Sequence, residues 1–241
     1  MARELAESAR FGRPPVVLFT SGYLPLACLA PLRRMGCAVG RMHPLAPIPT
    51  GQELSSLSMA PFALEGDARA LRAAQQIVAG IQGIPLRLKP GVGAAQAYHA
   101  GASLMSGGLV ALFHLAERVM TGSVSSRVAL REALTDFGNT TLWNVWCLGP
   151  TKALTGAFSR GSEPLVRGHL SALRRVPEAH ALYRLLGRTM LELAHARGSV
   201  DDTTKGRLLV YTGAKGARRE HRRVLTSKRA RRLKRAADRS G

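Results

Sequence analysis

Cysteine is scarce in this chain: Cys28, Cys37 and Cys147 stand far apart, with no CxxC pair among them. That argues against a disulfide framework or a zinc site and favours a reducing compartment. No uninterrupted apolar run of about 18 residues occurs, so no membrane-spanning helix is expected. The opening "MARELAESARFGRPP" lacks the apolar core of a secretory signal. A cytoplasmic location without a membrane partner is therefore the expectation. HExxH, GxSxG and paired-carboxylate patterns are missing, so no metal site is expected and the common hydrolase arrangements are excluded. Lysine is rare as well, at 6 of the 35 basic residues. With so much alanine, that balance suggests a GC-rich bacterial genome.

What is present is a chain of 241 residues, 46% hydrophobic, with a formal net charge of +20. Most of it can bury a core, as one large domain or two small ones. The charge is uneven. From Lys205 to Gly241 there are 14 basic residues against Glu220 and Asp238, a net +12, which leaves +8 for everything before. The segment "RREHRRVLTSKRARRLKRAADR" is basic at nearly every helical position and has no face to bury, so a disordered tail is expected. It carries no aromatic residue for base stacking. Any nucleic acid bound by residues 215–239 would be held through its phosphates without sequence preference.

Along the chain, "PPVVLFTSG" reads as a buried strand, "YLPLACLAPLRRMG" as a helix and "CAVGRMHPL" as a second strand. After the Pro/Ser-rich "APIPTGQELSSLSM" come a strand at "PFALEG", a helix capped by Asp67 and a fourth strand at "IPLRLKP". Strands separated by helical patterns imply βαβ units and a mostly parallel sheet. Beyond Pro90 the period is 3.6, and helices are expected near 94–120, 125–147, 163–175 and 178–197. "KGRLLVYTGAKG" could add one short strand. The implied plan is α/β followed by all-α, with units 1–90, 91–197 and a basic tail 198–241.

Few residues in this plan could carry chemistry. "GVGAAQ" (91–96) imitates a dinucleotide-binding turn, but Gln96 replaces the third glycine and helices follow, so it reads as an ordinary turn. Ligands of open α/β sheets bind beyond the carboxyl ends of strands, where Ser21, Gly22 and His43 fall. Each of these could equally be a turn or structural residue. His99, Ser103 and Ser106 follow i, i+4, i+7 spacing and line one helical face. They could wall a substrate pocket, with His99 passing protons, or could simply face solvent or a subunit partner.

Five stretches in order carry a family resemblance: "VVLFTSGYLPLACLAPLRRMGCAVGRMHPLAPIP", "PFALEGDARAL", "AYHAGASLMSGGLVALFHLAE", "LGPTKALTGAFSRGSEPLVRGHL" and "ALYRLLGRTMLELA". Together they resemble the Rossmann-like oxidoreductases that carry domain of unknown function 2520, of the 6-phosphogluconate-dehydrogenase-like superfamily. Pyrroline-5-carboxylate and ketopantoate reductases belong to the same superfamily. The resemblance spans roughly residues 2–197. It implies a partial Rossmann-like parallel sheet, a 6-phosphogluconate-dehydrogenase-like helical domain and a basic disordered tail.

Function follows from the same resemblance. It implies an NAD- or NADP-dependent oxidoreductase that reduces a small carbonyl or imine substrate. His99 would be catalytic, Ser21, Gly22 and His43 would lie at the cofactor, and Ser103 and Ser106 at the substrate. The family pattern opens with a βαβ unit bearing GxGxxG, and this sequence starts after it. Phe19 stands where the pattern usually has histidine, and Gly107 where it usually has asparagine. The resemblance also implies a homodimer through the helical domain, with Trp143 and Trp146 as anchors. The alternative is a non-catalytic dimerisation module with a nucleic-acid-binding tail.

Overall fold

The computed structural model describes residues 2–8, 10–48, 57–89, 91 and 93–213. The basic segment 215–239 lies outside the described residues. The chain divides into two compact units, Met1–Val110 and Ala111–Gly241. The first therefore extends past the boundary expected at residue 90 and keeps the helix that carries His99.

The first unit is built on four strands: β1 (Val16–Phe19), β2 (Ala38–Pro44), β3 (Pro61–Gly66) and β4 (Ile84–Arg87). They lie in the order β1-β2-β3-β4. The outer pairs, β1/β2 and β3/β4, are parallel, while the central pair β2/β3 is antiparallel. The expectation of a parallel sheet is corrected at that one pairing. Parallel neighbours need a crossover, and the chain supplies one in each outer pair: a 3₁₀ turn with α2 (Ala30–Arg34), and α3 (Ala68–Gly80). The connection that holds "APIPTGQELSSLSM" lies between β2 and β3, whose antiparallel pairing needs no crossover.

Both faces of the sheet are covered. On one, Phe62, Leu64 and half-buried Leu18 and Met42 pack on Ala74 and Val78 of α3. On the other, Val39 joins Leu29 and Leu32 from the α2 region, together with Ala2 and Ala6 of α1 (Ala2–Ser8). Strand alternation then fixes where Arg41 and His43 point. Gly40 lies so close to Ala70 of α3 that a Cβ would approach its methyl to 3.0 Å. Val39, Arg41 and His43 alternate with it and face the other side. Asp67 occupies the N-cap of α3, but its carboxylate does not cap that helix. It accepts the Val39 N–H (3.0 Å) and pairs with Arg33 (2.8 Å), tying α2, β2 and α3 together.

The helix expected over 94–120 is two, α4 (Ala94–Met105) and α5 (Gly107–Met120), meeting at Ser106. The run Ala94–Ser123 is long and apolar enough to cross a membrane by length and composition alone. It nevertheless carries His99, Ser103, Ser106 and the ion-paired Glu117, groups that hydrocarbon solvates poorly.

The second unit contains α6 (Arg127–Ala153), broken at Gly149 (φ 73°) before Pro150, then α7 (Gly156–Ser159), α8 (Glu163–Leu173), α9 (Pro177–Ala196) and α10 (Asp202–Leu209). Its core is Phe158, Val166, Leu191 and Leu208. Gly187 of α9 admits the Phe158 ring, which a Cβ there would meet at 2.5 Å. The strand considered at "KGRLLVYTGAKG" is not formed, since α10 and a 3₁₀ turn occupy 202–212. Asp201 caps this helix by accepting the Thr204 N–H at 2.7 Å. Leu208 and Thr212 are buried, so the tail cannot begin at 198: the folded unit runs on to about Gly213.

Candidate functional site

The site begins with a buried cation. Arg41, in the middle of β2, is fully enclosed. Its guanidinium donates to the carbonyls of Ser21 (2.9 Å), Gly22 (2.6 Å) and Leu24 (2.6 Å). Its Nε lies 3.4 Å from Glu65 Oε2, directly across the β2/β3 ladder, and its carbon end stacks 5.1 Å from the centre of the Phe19 ring. A buried charge persists only when paired and hydrogen-bonded, and the loop after β1 supplies most of those bonds. Arg41 therefore fixes the course of residues 21–24. Ser21 helps from within, its Oγ accepting the N–H groups of Tyr23 (3.3 Å) and Leu24 (3.1 Å).

That fixed loop presses Gly22 against two imidazoles. A Cβ on Gly22 would stand 2.7 Å from His43 Nε2 and 2.9 Å from His99 Nδ1, so both nitrogens converge on one point. His43 reaches it from the end of β2 and His99 from α4, with ring centres 6.0 Å apart and planes nearly perpendicular. His43 Nδ1 is 3.0 Å from the Tyr98 hydroxyl. His99 Nδ1 is buried and has no hydrogen-bond partner among the described residues. Replacing Gly22 with alanine should displace both rings. We expect a loss of about 1–3 kcal/mol, typical of overpacking, together with shifted imidazole signals in NMR spectra.

Burial holds the His43 pKa below the ordinary imidazole value, reinforced by His99 and Arg41. The Tyr98 phenol is raised by burial. At neutral pH the pair is thus an uncharged imidazole beside an intact phenol. Below pH 6.5 the unfolded chain gains a proton at residue 43 that the folded chain takes up only at lower pH. Stability present at neutral pH should therefore fall as pH drops from that value toward the lowered one. Urea unfolding at about pH 7.5 and about pH 5.5 should show a smaller acid loss for His43→Gln than for the native chain.

The imidazoles open onto a cleft of about 560 Å³ lined by His43, Tyr98, His99, Ser103 and Ser106 among mainly apolar neighbours, including Pro44, Leu86 and Met105. His43, His99, Ser103 and Ser106, four of the residues singled out from sequence, therefore line one cleft. Gly22 touches the imidazoles without lining the cleft. Ser21 does not reach it, its hydroxyl being engaged by the turn. Arg41 and Tyr98 were missed. The only signal for Arg41 was a charge inside the apolar run "CAVGRMHPL", and for Tyr98 its place beside His99.

The described residues do not fit the pyrophosphate of a nicotinamide dinucleotide. The donors near the 21–24 loop, the N–H groups of Tyr23 and Leu24 and the Arg41 guanidinium, are already engaged, while a Cβ would meet only Ala94 at 3.8 Å at Gly91 and nothing within 4 Å at Gly93, so neither glycine forms a tight cradle.

Comparison with known proteins places this architecture. No curated protein matches the sequence. Among solved structures, protein TM1727 from Thermotoga maritima superposes with a TM-score of 0.63 at 22% identity, over 81% of this chain and 75% of that one. The "putative NADP oxidoreductase BF3122" from Bacteroides fragilis superposes with a TM-score of 0.57 at 19% identity, over 73% of this chain and 65% of that one. These likenesses show a Rossmann-like fold. The family described as "Domain of unknown function (DUF2520)" matches residues 60–190, which include α4 and its histidine. With more than half its length matched, the chain belongs to the DUF2520 family.

Proposed function

We propose that the cleft is the substrate site of an oxidoreductase acting on a small carbonyl or imine compound, with NAD or NADP as its redox partner. The observation that carries this reading is that His43 and His99, whose ring nitrogens converge on Gly22, both line a mainly apolar cleft. His99 is the proton-handling group, as an imidazole that lines the cleft. The hydrogen bond between Tyr98 and Nδ1 of neutral His43 fixes the orientation of that ring in the cleft. Ser103 and Ser106 orient the rest of the substrate. The nicotinamide cofactor is supported by family likeness and by the name of the BF3122 protein. Fluorescence titration with NADPH and NADH, followed by turnover of a carbonyl panel, tests the reading. Binding of one cofactor with His99-dependent turnover is expected, and absence of binding at millimolar cofactor would refute it.

A second reading concerns association. Phe137, Trp143 and Trp146 on α6 are 72%, 63% and 80% exposed. Trp143 and Trp146, three positions apart, share one helix face, and an exposed tryptophan pair of this kind is typical of interface anchors. We infer a homodimer through this helix. Sedimentation at micromolar concentration should give a dimer that Trp143→Arg with Trp146→Arg converts to monomer. A compact native monomer would rule this surface out.

A further inference from the structure

The cleft's chemistry narrows its ligand. None of the 13 described residues lining it is Lys, Arg, Asp or Glu. The nearby guanidinium, Arg41, is sealed beneath the loop, with three carbonyls and Glu65 consuming its charge. The remaining polar side chains are two imidazoles, a phenol and two hydroxyls. Pro44, Leu45, Ala46, Leu86 and Met105 make up most of the rest, and their surface is hydrocarbon or thioether.

We propose that the cleft selects an uncharged ligand: a small ketone, aldehyde or imine with apolar substituents, whose polar atom lies against His43 and His99. This rests on the oxidoreductase reading for the carbonyl or imine group, and on the wall composition for the absence of charge. A carboxylate or phosphate entering this cleft would lose hydration and find no cation to replace it, a large penalty for an ionised group. An uncharged carbonyl needs only the hydrogen bonds that the imidazole side offers, while its substituents bury against the apolar wall. The volume, about 560 Å³, accommodates a molecule of this class.

The test uses a matched pair of ligands: 4-methylcyclohexanone and 4-oxocyclohexanecarboxylate differ only in carrying a methyl or a carboxylate opposite the ketone. Binding to the full chain at about pH 8, where a free imidazole is neutral, is followed through the ring signals of His43 and His99 by NMR. The neutral ketone should saturate these signals at a concentration at least about tenfold lower than the oxo-acid. Leu86→Arg, a cation placed on an exposed strand position at the cleft wall, should narrow or reverse that ratio. Equal or tighter binding of the oxo-acid by the native chain would overturn the inference, as would failure of both ligands to move the rings. The readout needs neither cofactor nor turnover. Selective binding of the ketone without NADPH-dependent reduction would leave this inference standing and sink the oxidoreductase reading. Turnover favouring the oxo-acid would do the reverse.

Discussion

His99→Asn should lower kcat/KM for carbonyl reduction by about 10²–10⁴-fold, the range lost when a positioned proton donor or acceptor is removed. Asparagine keeps a polar group near the position of Nδ1 but cannot exchange a proton with a developing alkoxide or amine. Folding should be little affected, since His99 is only partly buried and its Nδ1 forms no internal bond. The variant should therefore retain the native melting temperature and still bind a neutral ketone. Measuring turnover and binding on the same preparation separates the two. A variant with full activity would remove His99 from the chemistry. A variant that fails to bind would assign it to recognition instead.

The largest effect on stability is expected at Arg41. Arg41→Met fills similar volume but leaves the carbonyls of Ser21, Gly22 and Leu24 without their shared donor and Glu65 without its partner. Breaking a buried ion pair from one side costs about 3–5 kcal/mol, and the freed carbonyls add to it. Denaturant unfolding should thus show a loss approaching the whole stability of an ordinary domain. A double variant, Arg41→Met with Glu65→Leu, should recover part of the loss, because the stranded carboxylate is removed as well. If Arg41→Met were nearly neutral, the guanidinium would not be what holds the 21–24 loop.

Much of this architecture was legible in the sequence, for physical reasons that can be named. "VVLF" and "PFALEG" read as strands because β-branched and aromatic residues cluster between turn formers, and the structure places β1 and β3 there. The spacing of His99, Ser103 and Ser106 indicated a shared face, and these residues do line one cleft. The antiparallel β2/β3 pairing was not legible, because strand patterns carry no direction. "RLLVY" resembles a strand, yet the Asp201 cap and tertiary burial of Leu208 win over its local preference. Tyr98 was hidden because its partner His43 lies 55 positions away. Arg41 was hidden because a lone charge in an apolar run does not reveal that three loop carbonyls and a cross-strand glutamate will surround it.

A crystal structure of the chain grown or soaked with 4-methylcyclohexanone tests the central claim most directly. The ketone oxygen should lie within hydrogen-bond distance of His99 or His43, with the ring against Leu86, Met105 and the Pro44–Pro47 segment. A ligand ordered elsewhere on the protein, with the imidazole cleft left empty at saturating ketone, would contradict the account.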